Sequence, residues 1–121
     1  MSAAFRRISQ LVYTDQNVRR LSGLAAPELQ WPIPGRFGSL NYLDLALPCC
    51  RFAVEYDGEA FHGDDRRKHD RVRREWIEKQ HNWVVLVLRR HNVFGHEQDA
   101  IELIRAAYAA CPSRCARHTN R

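Results

Sequence analysis

The stretch from Phe52 to His62 constrains the fold more than any other part of the chain. Its first half alternates apolar residues with Glu55 and Asp57, a pattern that is typical of a β-strand. Because successive side chains of a strand point to opposite faces, Glu55 and Asp57 are predicted to project from the same face. A glycine then ends the strand, and His62 follows a few residues later. Two carboxylates and an imidazole are costly to gather in a fold's interior, so this stretch predicts a site of chemistry.

A second strand is predicted directly before it, over residues 40–47. The four residues that connect the two strands, 48–51, contain a proline and no helix signal, so an antiparallel hairpin is the simplest connection. With the tip in the middle of that connection, Leu47 is predicted to pair with Phe52.

The same register sets Asp44, the one acid of the first strand, opposite Glu55. Directly opposed side chains lie about 5 Å apart at Cβ, where like charges repel. A hard divalent cation such as Mg²⁺ relieves that repulsion, because it prefers carboxylate oxygens. The alternative is a strand pair whose acids simply face solvent.

Length and charge limit the classes of protein that fit. A chain of 121 residues suits one domain, 1–121, in which the ends, about 1–22 and about 111–121, are expected to be peripheral. The formal charge of +5 favours a polyanionic partner. No apolar run resembles a signal peptide or a membrane span, so no membrane association and a cytoplasmic location are expected.

The four cysteines do not indicate a disulfide scaffold, because no secretion signal accompanies them. Cys111 and Cys115, with His118 nearby, have some likeness to a zinc knuckle. A structural zinc site needs four ligands, and no fourth is evident locally, so zinc is not expected. A helix followed by a basic tail is the plainer interpretation.

The rest of the chain predicts helices around a sheet. Thr14 and Asp15 are suited to capping a short helix, and residues 29–33 suit an edge strand because of the prolines around them. Residues 92–96 are predicted as a loop. The remaining predicted elements are a helix from Asp64 or Asp65 to His81, a buried central strand over 83–88 parallel to the strand at Phe52, and a helix over 98–110.

The helix that follows His62 is strongly basic. Its apolar stripe is predicted to consist of His69, Val72, Trp76 and Gln80, with Ile77 beside it. A run of charge is usually just a solvated face. Since this helix starts directly after the acidic stretch, its cations also suit the phosphates of a nucleic acid. The cations on its solvent side are Arg66, Arg67, Lys68, Arg71 and Arg74.

These motifs together resemble a known family. Asp44, the run Glu55-Tyr-Asp57-Gly58, His62, then Asp70 with Arg73 and Arg74, and finally the strand that ends at Arg89 resemble the DUF559 group. That group is similar to a branch of the PD-(D/E)XK restriction-endonuclease-like superfamily, close to the very-short-patch-repair endonucleases. The resemblance covers about residues 23–94. It implies an α/β fold with a mixed four-stranded sheet flanked by helices.

The resemblance also implies a metal site. Asp44 stands at the superfamily's first metal-binding aspartate and Glu55 at the second acid, while Asp57 stands where many relatives have a lysine. His62 matches a histidine of the very-short-patch-repair enzymes. Asp44, Glu55 and Asp57 are therefore expected to hold Mg²⁺, for which Mn²⁺ can substitute, and His62 is expected to act as general base.

The function expected from these residues is metal-dependent hydrolysis of a phosphodiester bond, with DNA preferred to RNA. Two alternatives remain open: a non-catalytic nucleic-acid-binding module on the same fold, and a regulatory domain that binds a protein partner, such as the effector half of a toxin system. The sequence does not determine the oligomeric state. The residues expected to hold the nucleic-acid backbone are Arg66, Arg67, Arg73, Arg74, Arg89 and Arg90.

Overall fold

The structure, a computed structural model, describes residues 3–21, 23–24, 27–57, 64–94 and 99–111, and the side chains of these residues except 3–5, 15 and 64–67. Besides one turn of 3-10 helix at Arg36–Gly38, those ranges contain five α-helices and four strands. In chain order they are α1 (Ala3–Val12), α2 (Asp15–Arg20), β1 (Glu28–Pro34), β2 (Leu40–Leu47), β3 (Phe52–Asp57), α3 (Asp64–His81), β4 (Val84–Arg89), α4 (Arg90–Val93) and α5 (Ala100–Ala110).

Local signals account for several of these boundaries. The Thr14 hydroxyl accepts a hydrogen bond from the Asn17 amide at 3.3 Å, which confirms the predicted cap of α2. Between β2 and β3 the chain reverses in a turn, in which the Cys50 amide donates to the Leu47 carbonyl at 3.0 Å. The predicted loop over 92–96 is partly wrong, since α4 continues through Val93, and residues 95–98 lie outside the described ranges.

The four strands form one mixed sheet in the order β1-β2-β3-β4. The first three strands are antiparallel neighbours, and β4 pairs parallel to β3. Leu47 pairs with Phe52, which confirms the predicted register of the hairpin. On the other side of β2, Pro32 pairs with Tyr42 and Pro34 with Leu40. In the described residues β1 has β2 as its one neighbour, so it is an edge strand as predicted. The α/β class with a mixed four-stranded sheet flanked by helices is therefore confirmed.

The prediction that β4 is a central strand is wrong. Among the described residues β4 has one neighbour, β3, and lies at the edge of the sheet. Its uninterrupted apolar run has another cause: both of its faces contribute to packing. Leu86 and Leu88 pack into the hydrophobic cluster on one face, and Val85 packs into the cluster on the other.

The core consists of these two clusters, one on each side of the sheet. The larger includes Phe52 and Val54 of β3 together with Ile104 of α5. It also includes Ile8 and Val12 of α1, so α1 belongs to the core although residues 1–22 were expected at the periphery. The residues after Cys111, which were expected to be peripheral as well, lie outside the described ranges.

The smaller cluster lies beneath α3, which is rotated relative to its predicted orientation. Ile77 is fully buried, whereas Val72 is 41% exposed and His69 and Gln80 are also exposed. The side of α3 that faces the sheet therefore carries Arg73 and Ile77, one helical turn apart. A search for an apolar stripe misses this orientation, because Arg73 is charged.

Two side chains near the end of α3 attach it to β1. Trp76 Nε1 and His81 Nε2 donate to the same acceptor, the carbonyl oxygen of Pro34, at 3.0 and 2.9 Å. None of the helices in the described ranges has the length and apolar character that a membrane crossing requires.

Candidate functional site

The candidate site lies where β2 and β3 separate. Their paired residues end at Leu45 and Val54, and continuing the register by one residue sets Asp44 opposite Glu55. At this point the Tyr56 amide of β3 donates to the side-chain oxygen Oδ2 of Asp44, at 3.1 Å, in place of a backbone carbonyl of β2. Beyond it, β2 continues along β1. The two acids therefore follow directly after the last paired residues of the hairpin, at a fork in the sheet.

Asp44 is only 7% exposed, and this burial dominates its chemistry. Desolvation raises the pKa of the Asp44 carboxyl to about 6. The hydrogen bond from the Tyr56 amide lowers this pKa, the charge of Glu55 raises it, and the charge of Arg73 lowers it. Near neutral pH the protein thus holds a buried carboxylate whose ionised form is unfavourable, which is a common property of functional sites.

Glu55 is held by a bidentate ion pair with Arg73. Arg73 Nη1 donates to Glu55 Oε1 at 2.9 Å, and Nη2 donates to Oε2 at 3.1 Å. Nη2 also donates to the Tyr42 carbonyl at 2.9 Å, so Arg73 joins α3 to both strands of the fork. Burial lowers the pKa of the Arg73 guanidinium, but the hydrogen bonds and charge of Glu55, together with the charges of Asp44 and Asp70, raise it, and the pKa is raised overall.

Asp57, the third predicted acid, has a different partner. It lies next to Arg89 in the β3–β4 register, and Arg89 Nη1 donates to Asp57 Oδ2 at 2.5 Å. Within the described residues, no three His, Cys, Asp or Glu side chains are arranged as a metal-binding group. The expected set of Asp44, Glu55 and Asp57 is therefore not assembled as three ligands.

A pair of carboxylates is nevertheless a donor set that suits Mg²⁺. This ion usually keeps several waters and is held by one or two carboxylates together with substrate phosphates. Each carboxylate offers about four lone-pair positions, so the hydrogen bonds that Glu55 accepts from Arg73 leave it able to bind a cation. A bound cation would stabilise the ionised form of Asp44, which burial disfavours. The residues present fit a two-carboxylate magnesium site.

The remaining predicted site residues are more scattered. His62 and the side chains of Arg66 and Arg67 lie outside the described part of the structure. Arg74 is partly buried, and its Nε makes no hydrogen bond with any described residue. Arg90 is exposed, with its guanidinium carbon 5.8 Å from the centroid of the Phe94 ring.

Arg73 has a role that the sequence did not suggest. It was predicted to contact nucleic acid, whereas the structure engages its two terminal nitrogens with Glu55 and Tyr42. The signal that indicates this orientation is its spacing of four residues from Ile77. No protein-family profile, curated protein or solved structure significantly matches the chain.

Proposed function

We propose that the protein is a metal-dependent nuclease that hydrolyses phosphodiester bonds, with DNA as the preferred substrate and Mg²⁺ as the cofactor. The observation that carries this proposal is the position of Asp44. It is a buried acid with a raised pKa, and it lies opposite a second buried acid, Glu55, at a fork in the sheet. Arg73 compensates the charge of Glu55, but burial disfavours the ionised form of Asp44, and a buried acid with a raised pKa is typical of functional sites.

Asp44 and Glu55 would hold the metal ion in this proposal, and Mn²⁺ would substitute for Mg²⁺. A bound Mg²⁺ supplies a Lewis acid that activates water and neutralises charge on the scissile phosphate. Asp44 contributes one fixed carboxylate, oriented by the Tyr56 amide. Glu55 contributes a second one, oriented by Arg73. His62, a few residues beyond β3, is the proposed general base.

Nucleic acid is the proposed substrate because of the charge of the chain and the position of its basic helix. The formal charge is +5, and α3 begins seven residues after β3 ends, next to the acids in the chain. Lys68 and Arg71 are exposed on this helix. Cations in such a position favour contacts to the phosphate backbone, which set affinity without selecting a sequence.

The resemblance to the DUF559 group supports the same proposal. The residues that carry the resemblance lie on β2, β3, α3 and β4, apart from His62 and Gly58, which lie outside the described ranges. The mixed sheet agrees with the sheet that the resemblance implies.

The Arg73–Glu55 ion pair favours a second candidate, a non-catalytic module. A carboxylate that is satisfied by a bidentate arginine can serve structure alone. On this alternative the fold would bind nucleic acid, or a protein partner as in a toxin system, without cleaving anything.

Plasmid nicking separates the candidates. Supercoiled plasmid is incubated with the wild-type protein in Mg²⁺, in Mn²⁺ and in excess EDTA, and with Asp44→Asn in Mg²⁺. The matched control is Glu78→Gln, which removes one carboxylate from the exposed side of α3. The nuclease proposal expects nicking by the wild type and by Glu78→Gln in either metal, and none in EDTA or with Asp44→Asn. Nicking that survives in EDTA, or that Asp44→Asn retains in full, would refute the metal site. DNA binding without nicking would favour the non-catalytic module.

A further inference from the structure

Arg73 uses its guanidinium differently from an arginine that binds phosphate. A phosphate-binding arginine presents the planar edge with its two terminal nitrogens to the ligand. In this protein that edge faces Glu55, with both parallel hydrogen bonds formed. One of the two nitrogens also binds the Tyr42 carbonyl. The part of Arg73 that would recognise a phosphate is therefore already occupied.

The surroundings of Arg73 also differ from those of a solvated cation. Its side chain is 24% exposed and that of Glu55 is 12% exposed. The charges of Asp44 and Asp70 act on it in addition to that of Glu55. A side chain with this many fixed partners is held in one geometry, whereas an exposed arginine changes rotamer freely.

A bidentate arginine fixes the carboxylate that it binds. Two parallel hydrogen bonds define the plane of the Glu55 carboxylate, and so they define the directions of its remaining lone pairs. The third bond, to Tyr42, ties this arrangement to β2, the strand that carries Asp44. Arg73 thus fixes the orientation of the Glu55 carboxylate relative to β2, the strand that carries Asp44.

We propose that Arg73 is a positioning residue of the Asp44–Glu55 site, which orients the Glu55 carboxylate toward the metal ion and makes no contact with phosphate. This inference rests on the proposed nuclease function and assigns the role of one residue in it. Lysine at position 73 would keep the positive charge but lose the planar pair of donors. The role therefore depends on the shape of the guanidinium in addition to its charge.

The test compares Arg73→Lys with Arg105→Lys, a matched change at an exposed arginine on α5. Circular dichroism and urea unfolding first establish that each variant is folded. Mn²⁺ affinity is then measured by isothermal titration without DNA, and plasmid nicking is measured as kcat and KM. Loss of an outer partner of a metal ligand typically lowers metal affinity or activity by about 10- to 100-fold. Arg73→Lys is expected to show a loss in this range in Mn²⁺ affinity and in kcat, with KM for DNA unchanged, and Arg105→Lys is expected to match the wild type.

Chemical rescue adds a measurement that a purely structural role would not affect. Guanidinium ion at low concentration is expected to restore nicking by Arg73→Ala, because it can re-form both bonds to Glu55. Methylammonium, with the same charge and no planar fork, is expected to restore none. Equal rescue by both ions would mean that only charge matters, which contradicts the proposed role.

The wild-type protein provides a measurement that does not depend on how a variant folds. Slowly exchanging Nη protons of Arg73, observed by NMR, are expected to persist when Mg²⁺ is added and when DNA is added in EDTA. Their loss with Mg²⁺ would mean that the metal displaces the arginine, and a shift with DNA would mean that Arg73 contacts phosphate. Either result would overturn the inference.

The outcomes also distinguish this inference from the function on which it rests. If the wild type nicks DNA and binds Mn²⁺, but Arg73→Lys is equally active, the positioning role is wrong and the nuclease stands. If the wild type neither binds metal nor nicks DNA, the nuclease proposal fails, and the positioning role fails with it.

Discussion

Arg73 on α3 binds both carboxylate oxygens of Glu55 on β3, a residue 18 positions earlier in the chain. The pair is mostly buried, so the charge of each partner has to be compensated by the charge of the other. The helix is thereby attached to the sheet at the point where the candidate site lies. The first prediction follows from this dependence.

Glu55→Gln is expected to destabilise the protein by about 2 kcal/mol, because it leaves a largely buried guanidinium without its counter-charge. The value is below that for a fully buried pair, since Arg73 keeps some contact with solvent. Urea unfolding at pH 7 measures it. The control is Glu75→Gln, which breaks the exposed pair between Glu75 and Lys79 and is expected to change stability by less than about 0.5 kcal/mol. Equal, small effects of both substitutions would contradict the prediction.

Asp44→Asn is expected to stabilise the metal-free protein at neutral pH. The pKa of Asp44 is about 6 in the folded protein, against an ordinary value of 3.8, so the folded state binds more protons between these two values. The contribution of Asp44 to stability is therefore fully present below about pH 4 and is lost as the pH rises through 6. The loss corresponds to about 3 kcal/mol at pH 7.5.

Urea unfolding in EDTA at pH 7.5 and pH 4 checks this dependence. At pH 7.5 the free energy of unfolding of Asp44→Asn should be higher than that of the wild type by up to about 3 kcal/mol. At pH 4 the difference between the two should be small. Glu78→Gln serves as the control for removal of an exposed carboxylate. A lower free energy of unfolding for Asp44→Asn at pH 7.5 would show that the ionised carboxylate stabilises the fold instead.

Mg²⁺ affinity is expected to fall steeply as the pH drops through about 6. Protons and the metal ion compete for the same oxygens of Asp44, whose pKa is about 6. Isothermal titration at pH 7.5 and 5.5 measures the change in affinity. At pH 7.5, Mg²⁺ at 100 times its Kd should raise the free energy of unfolding by about 2.7 kcal/mol.

Variants of the two other acids extend this experiment. Asp44→Asn should abolish the Mg²⁺ effect, whereas Asp57→Asn should weaken it less, because Asp57 is paired with Arg89. Complete loss of binding in Asp57→Asn would identify Asp57 as a third ligand. Affinity that is the same at both pH values would exclude Asp44 as a ligand.

The salt dependence of DNA binding is expected to depend on the basic helix. Each phosphate contact contributes a slope of about −0.9 in log K against log salt for duplex DNA. Changing Arg66 and Arg67 together to glutamine should make the slope less negative by about 1.8, without altering sequence preference. The double change of Arg51 and Arg105, which are exposed on other elements, is the control. A slope near zero for the wild type would instead favour a protein partner.

The parts of the fold that the sequence predicts correctly depend on local patterns. The Thr14 cap and the pairing of Leu47 with Phe52 follow from residues within a few positions of each other. The opposition of Asp44 and Glu55 follows from that pairing, because register propagates along a ladder. The hairpin and its two acids were therefore accessible from the sequence.

The features that the sequence does not predict depend on distant contacts. The apolar run of β4 indicates burial of both faces, but it contains no information on the number of neighbouring strands. In the observed orientation of α3, Arg73 pairs with Glu55, and no rule of helical spacing includes a partner 18 residues away. The assignment of Asp57 to Arg89 likewise needs the parallel register of β3 and β4.

The prolines of β1 have a consequence for how this sheet meets other molecules. An exposed edge strand recruits a further strand through its outward N–H and C=O groups, but Pro32 and Pro34 have no N–H to offer. The carbonyl of Pro34 is also engaged, by Trp76 and His81. A neighbouring chain would therefore find no N–H donor at these two positions, and it would find the Pro34 carbonyl already bound. Addition of a further strand along the second half of β1 is therefore disfavoured.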